Sequence, residues 1–188
     1  MKIFNIYLIG VGGQGIGLLS EVIIRACDYA GYHVRGVDTH GLAQRGGTVI
    51  SHIRIGQGVY SPLIQTHMAD LVVALERNEA LRGLNEYLKD RGTLVYYDAL
   101  WQPLSTRLGK TEKLEGQVIS EACNLRNIRE IKVFREDLDD SRMQNVAVIS
   151  EMAKLQLIPA VDRVHYEEAL KDLMAGKVLE KNLAVFGC

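Results

Sequence analysis

Apolar positions along this chain fall into two alternating registers. Short continuous runs of strand length are followed by i, i+3, i+4 stripes of helical period, the pattern expected of an α/β fold. Ile3 to Ile9 reads as a buried strand, and Leu19, Val22, Ile23, Ala26, Cys27 and Ala30 form one helical stripe after it. Gly31 supplies the helix stop, because glycine accepts the left-handed conformation at that position. His33 to Asp38 predicts a second strand, which completes a βαβ unit with a right-handed crossover. Thr48 to Ile55 predicts a third, with Val49, Ser51, Ile53 and Ile55 on one face and Thr48, Ile50, His52 and Arg54 on the other. The break at Gly56 and Gly58 predicts a hairpin into Val59–Ser61, and hence a mixed sheet.

Further on, Leu71 to Leu75 has the short, wholly apolar character of a central parallel strand. Asn78 to Asp90 predicts a helix carrying Leu81, Leu84 and Leu88, with Gly92 beyond its end, and Thr93 to Tyr97 predicts a strand. Residues 102–116 are polar and hold Pro103, which suggests a surface excursion. A helix near Val118–Arg126 and a strand near Glu130–Phe134 follow. Three helical stretches close the chain, at Met143–Leu155, Tyr166–Met174 and Lys177–Phe186, with Pro159 between the first two. The fold class expected is a three-layer α/β/α, Rossmann-like, doubly wound, mostly parallel but mixed sheet with a hairpin near residues 48–61. Residues 1–188 are read as a single domain.

Candidate chemistry begins at the end of the first strand. Gly10, Gly12 and Gly15 have the G-x-G-x-x-G spacing of a phosphate-binding turn between strand and helix. Such a turn, which also contains Gly13 and Gln14, lets backbone N–H groups and a helix N-terminus face an anion. Asp38, 23 residues after Gly15, stands where a dinucleotide-binding domain keeps its ribose-binding acid. A bound dinucleotide, another phosphate-bearing ligand and a purely structural turn all remain open on this pattern alone. Gln14 is either a solvated side chain or an amide donor to a ligand or partner.

A second segment leaves the carboxyl end of the second strand, the edge where open α/β sheets bind ligands. It runs from Asp38 through Thr39, His40, Gln44, Arg45, Gly46 and Gly47. The guanidinium of Arg45 suits carboxylate or phosphate recognition, and the glycines allow close backbone approach. A solvated surface loop is the alternative for both Arg45 and His40.

Composition narrows the function classes. A formal net charge of −1 lacks the basic surplus that nucleic-acid binding needs. No apolar run is long enough to cross a bilayer, and the early first strand leaves no secretory leader, so a cytoplasmic location is expected. Cys27, Cys123 and Cys188 are far apart and odd in number, which suits neither a disulfide framework nor a metal or iron–sulfur site held by this chain alone. Cys27 is read as a core residue of the helix stripe.

Taken together, the turn at Gly10–Gly15, the segment His40–Gly47 and the run Ser51–Gly56 resemble the gamma-type subunit of 2-oxoacid:ferredoxin oxidoreductases. The His-Gly-x-Ala-Gln-Arg-Gly-Gly form is most similar to the small (beta) subunit of indolepyruvate:ferredoxin oxidoreductase. The likeness runs on through Ala69–Leu71 to Asn145 and Asn182–Leu183, and is thin over residues 101–135. It implies a part in oxidative decarboxylation of a 2-oxo acid with coenzyme A, giving acyl-CoA, carbon dioxide and reduced ferredoxin. It further implies that thiamine diphosphate, magnesium and iron–sulfur clusters sit on large partner subunits, and that this chain binds no redox cofactor and is inactive alone. His40, Gln44, Arg45, Gly46 and Gly47 would face the shared active site, and Gly10–Gly15 a partner chain or coenzyme A phosphates. Neither nucleic acid nor membrane is expected as a partner, and the isolated chain could form a homodimer. Indolepyruvate or another arylpyruvate is the expected substrate, with pyruvate and 2-oxoglutarate as alternatives inside the family. Readings of another class are a free-standing NAD(P)-binding Rossmann protein and a non-enzymatic binding module.

Overall fold

The computed structural model describes residues 3–39, 47–101, 114–138 and 140–187. Six strands form one mixed sheet: β1 (Phe4–Val11), β2 (Val34–Thr39), β3 (Thr48–Ile55), β4 (Ala69–Ala74), β5 (Leu88–Tyr97) and β6 (Arg129–Val133). Their spatial order is β2-β3-β1-β4-β5-β6. The pairs β1–β4, β4–β5 and β5–β6 are parallel, whereas β3 runs antiparallel to both β1 and β2. The βαβ unit is therefore present, but its two strands run in one direction with β3 inserted between them.

The mixed sheet agrees with the sequence expectation, and the reason given for it does not. No strand forms at Val59–Ser61; β3 itself is the antiparallel strand, paired along both edges. After Gly56 the chain instead crosses the sheet surface as irregular backbone, pinned by β3 side chains. Ile64 N–H donates to His52 Nδ1 at 3.2 Å, and Arg54 Nη1 donates to the Ser61 carbonyl at 3.0 Å.

Alternate sheet residues feed two cores. On one face Ile6, Leu8, Ile53, Leu71, Val73 and Val95 pack beneath α1 (Ile16–Tyr29) and three C-terminal helices, α4 (Gln144–Lys154), α5 (Arg163–Leu173) and α6 (Gly176–Gly187). The stripe of α1 buries Leu19, Val22, Ile23, Ala26 and Cys27, as its period requires, and Gly31 ends the helix at φ +78°. On the other face Tyr7, Ile9, Val72, Leu94 and Tyr96 pack beneath α2 (Arg77–Glu86) and α3 (Gly116–Leu125). Among the described residues, α2 and α3 reach β1, β4, β5 and β6 but leave that face of β2 and β3 without a helix.

Leu88 departs from its expected helix. Helix α2 stops at Glu86, and Leu88 opens β5 by pairing with Ala69. Its i+4 spacing from Leu84 mimics a helical stripe, yet both side chains are buried in the same core from different elements. Among the described residues no helix is long and apolar enough to cross a membrane. Most of residues 102–116 lie outside the described residues.

Candidate functional site

Strand β1 delivers its last residue, Val11, to the carboxyl edge of the sheet, and the chain turns at once into α1. The turn is closed from inside. Gln14 N–H donates to the Val11 carbonyl at 3.0 Å, while Gln14 Oε1 accepts from Val11 N–H at 2.8 Å. Gln14 is 5% exposed, so the solvated reading of this side chain is corrected: its amide oxygen completes the turn. Gly10 packs closely, since a Cβ there would lie 2.8 Å from Ile16 Cδ1 and 3.0 Å from Gln14 Oε1 and both side chains would have to shift. Gly15 caps α1 in the left-handed region (φ +85°), and no side chain caps the first turn of that helix. The leading N–H groups of α1 are thus left for a ligand, a partner or solvent.

A cleft of about 510 Å³ opens beside this turn, lined by Gly13, Gly15, Arg142, Asn145, Lys181 and Asn182 among others. The resemblance pointed to Asn145 and Asn182 in separate late helices, and the fold brings both here. Asn145 Nδ2 donates to the Gly15 carbonyl at 3.4 Å, and Asn182 Nδ2 donates to the Val178 carbonyl at 2.8 Å. Arg142 and Lys181 bring positive charge to the cleft and Asp140 brings one negative charge. The Arg142 guanidinium grips the Asp140 carboxylate (Nη2–Oδ2 2.6 Å) and holds its pKa at about 2. Lys181, Arg142 and Asp140 had no motif to announce them.

The second segment adjoins the turn at its described end. Gly12 N–H donates to the Gly47 carbonyl at 2.8 Å, and Val11 pairs with Thr48 across β1 and β3. Thr39 and Gly47, which bracket the segment, therefore stand at the same sheet edge as the glycine turn. His40, Gln44, Arg45 and Gly46 lie outside the described residues. Just beyond them, Thr48 Oγ1 donates to Glu79 Oε1 at 3.2 Å.

Glu79 belongs to a buried acidic cap that sequence reasoning missed. Glu76 is the N-cap of α2 and accepts from Glu79 N–H, Asn78 Nδ2 (3.2 Å) and Trp101 N–H (3.3 Å). Burial raises the pKa of both carboxyls above the usual value. Arg82 offers Glu79 Oε2 an ion pair at 3.4 Å, but that oxygen has no hydrogen bond. The available signal was Glu76-x-x-Glu79 ahead of an apolar stripe, a capping-box spacing.

Asp38 is engaged within the fold. Its carboxylate accepts from Ser20 Oγ at 2.8 Å, and Ser20 Oγ in turn contacts Ser51 Oγ at 2.9 Å. Because β3 intervenes, β2 lies two strand spacings from β1, roughly 10 Å, rather than next to the turn. Both facts argue against the dinucleotide arrangement, in which the acid-bearing strand neighbours the glycine strand. Nor do the thiols converge. Cys27 and Cys123 belong to cores on opposite faces of the sheet, and burial pushes each up to about 12. That pair does not fit a cluster or metal site.

Geometry thus defines the class: a doubly wound α/β protein with an uncapped glycine turn, a flanking cleft of net positive charge, and Thr39 and Gly47 on the same sheet edge. Comparison with known proteins places it further. The chain belongs to the pyruvate ferredoxin/flavodoxin oxidoreductase family, whose model matches residues 5–188. It is 35% identical to the indolepyruvate oxidoreductase subunit IorB of Archaeoglobus fulgidus, over 95% of this chain and 90% of that protein. The subunit of the same name in Thermococcus kodakarensis is 43% identical over 53% of this chain and 48% of its own length. Among solved structures, the gamma subunit of a keto/oxoacid ferredoxin oxidoreductase from Geobacter sulfurreducens superposes with a TM-score of 0.66 at 20% identity, covering 98% of this chain and 94% of that one. The 2-oxoglutarate:ferredoxin oxidoreductase of Magnetococcus marinus, solved with 2-oxoglutarate, coenzyme A and succinyl-CoA bound, gives a TM-score of 0.73 at 19% identity. All of this chain corresponds to 30% of that longer one. At such identities the two structures establish the fold.

Proposed function

We propose that this chain is the small, gamma-type subunit of a cytoplasmic 2-oxoacid:ferredoxin oxidoreductase, acting as one domain and inactive without its larger partner. The observation that carries the reading is the 35% identity to an indolepyruvate oxidoreductase subunit across nearly the whole of both chains. The reaction is oxidative decarboxylation of indolepyruvate or another arylpyruvate. The C1–C2 bond breaks to release carbon dioxide, the acyl carbon forms a thioester with coenzyme A as the thiol S–H gives its proton to solvent, and the two electrons pass to ferredoxin. Thiamine diphosphate with magnesium, on a partner chain, supplies the carbanion-stabilising chemistry, and iron–sulfur clusters there carry the electrons.

This chain's own residues bind and orient. The uncapped start of α1 at Gly13 and Gly15, with Lys181 and the Asp140-paired Arg142 across the cleft, offers an anion backbone N–H groups, a helix dipole and a net single positive charge. A coenzyme A phosphate fits that donor set. Gly12 and Gln14 hold the turn in shape from behind. His40, Gln44, Arg45, Gly46 and Gly47 approach the partner's active site, where Arg45 balances developing negative charge and His40 orients a carboxylate or carbonyl. An interface is also available. The helix-free face of β2 and β3, partly covered by the crossing segment, carries half-buried Val37 and Ile50, and that segment exposes Tyr60 and Leu63. In isolation the same face supports a homodimer.

Affinity purification of the tagged chain from its native cell tests the reading. A large co-purifying chain that contains thiamine diphosphate and iron–sulfur clusters is expected. Recovery of this chain alone, or with a partner lacking thiamine diphosphate, overturns it.

A further inference from the structure

On the other side of Gln14 lies a second cavity, of about 250 Å³, which among the described residues shares no lining residue with the basic cleft. It sits beyond the carboxyl ends of β1, β5 and β6, and Gln14, Gln144, Trp101 and Leu138 line it together with Tyr97 and Arg135. Two buried carboxamides therefore meet in one small space. Gln144, the first residue of α4, is 7% exposed, and its side chain has no hydrogen-bond partner among the described residues. Gln14 spends its oxygen on Val11 N–H, and its Nε2 likewise has no partner among them. Neither amide is among the side-chain atoms cut off from solvent without a partner, so the unbonded ends of both open into the cavity and can meet a ligand there.

The other polar groups of the lining are committed. Tyr97 O–H donates to the Arg135 carbonyl at 2.9 Å, and the Arg135 guanidinium is held by Asp137 and by the Val185 carbonyl. Its charge is already met by a carboxylate, so the cavity carries no standing demand for an anion. Trp101 has its backbone pinned by Glu76 and Asn78, is 54% exposed as a residue, and contributes to the cavity lining. An indole so placed is a stacking surface. The volume lies below the roughly 300–1,000 Å³ of sites for drug-sized ligands, so it suits one ring system rather than a whole cofactor.

We propose that this cavity binds an uncharged planar ring bearing a hydrogen-bond donor beside an acceptor, with the Gln144 carboxamide pairing to both, Gln14 Nε2 donating to a second acceptor and Trp101 covering the ring. A glutamine carboxamide makes this two-point contact with the N6–H and N7 of adenine, and the amide of nicotinamide presents the same donor–acceptor pair. The site needs no partner chain, so it stands or falls separately from the assignment to an oxidoreductase complex.

Titration of the isolated full chain with adenosine and, separately, nicotinamide, followed by NMR of the glutamine side-chain amides, tests it. Binding of either probe with shifts confined to the Gln14 and Gln144 amides is expected, weakened at least tenfold in Gln144→Leu and in Trp101→Ala. Adenosine alone binding assigns the site to a purine, and nicotinamide alone to a pyridine carboxamide. Absence of binding by both probes at millimolar concentration, or binding that Gln144→Leu and Trp101→Ala leave intact, overturns the proposal. The wild-type amide shifts decide the matter even where a variant fails to fold.

Discussion

Substituting alanine for Gly15 tests the turn at its tightest point. A Cβ at this position would lie 2.5 Å from Asn145 Nδ2, and the backbone sits at φ +85°. Left-handed backbone costs a non-glycine residue about 1–2 kcal/mol. Asn145 must also swing away, losing its bond to the Gly15 carbonyl and stranding a buried amide, which costs about 1–3 kcal/mol more. The sum is about 2–5 kcal/mol, or a fall in Tm on the order of 4–20 °C for a chain of this length. Two companions separate the contributions. Gly13→Ala, at φ +100° with nothing within 4 Å of the added Cβ, should show the backbone cost alone. Gly17→Ala, inside α1 and equally unobstructed, should stabilise by about 0.5–1 kcal/mol through helix propensity. Urea unfolding of the double variant Gly15→Ala/Asn145→Ala, set against both singles, isolates the contact. In the Asn145→Ala background the Gly15→Ala cost should drop to that of Gly13→Ala. An unchanged cost in that background refutes the packing of Asn145 on the turn.

Other expectations follow from the same geometry. Gln14→Leu should cost about 1–3 kcal/mol in a urea melt by stranding the buried Val11 N–H. Burial raises the Glu79 carboxyl pKa above 4.5, so folding stability is greatest below that value and falls as pH rises through the raised pKa. Glu79→Gln should therefore gain stability relative to the parent between pH 4 and pH 8, and a constant difference in urea midpoints contradicts this. In an assembled complex, Arg142→Ala with Lys181→Ala should raise KM for coenzyme A by about tenfold or more, the scale of a lost charge-assisted hydrogen bond, while KM for the 2-oxo acid stays put. Arg45→Ala should lower kcat of that complex while the melting curve of this subunit is unchanged.

Much of this architecture was legible because period alone distinguishes strand from helix. The buried run of β1, the glycine turn and the stripe of α1 are local patterns, and all three fold as read. Strand direction is another matter. A period of two marks Thr48–Ile55 as a strand and assigns its faces, but carries no information on whether it runs with or against β1. The sequence therefore assigns the mixed character of the sheet to a hairpin after Gly56, whereas the long-range pairing of Val11 with Thr48 makes β3 itself the antiparallel strand. Leu88 failed for a related reason: one apolar residue four positions after another fits a helix stripe and a new strand equally well. At the site, motif spacing located Gly10–Gly15 and the flanks of the second segment. Asn145, 130 residues from Gly15, reached the turn through tertiary packing. Gln144, Glu79 and Lys181 needed the fold before their neighbours could be known.

The central claim is that this chain completes a catalytic assembly without performing chemistry itself. Ferredoxin reduction driven by indolepyruvate and coenzyme A should be measured for the purified partner chain, for this chain, and for the two recombined. The account predicts activity restored only on recombination, saturating at a fixed subunit ratio. Reduction by this chain unaided, or undiminished reduction by the partner in its absence, contradicts it.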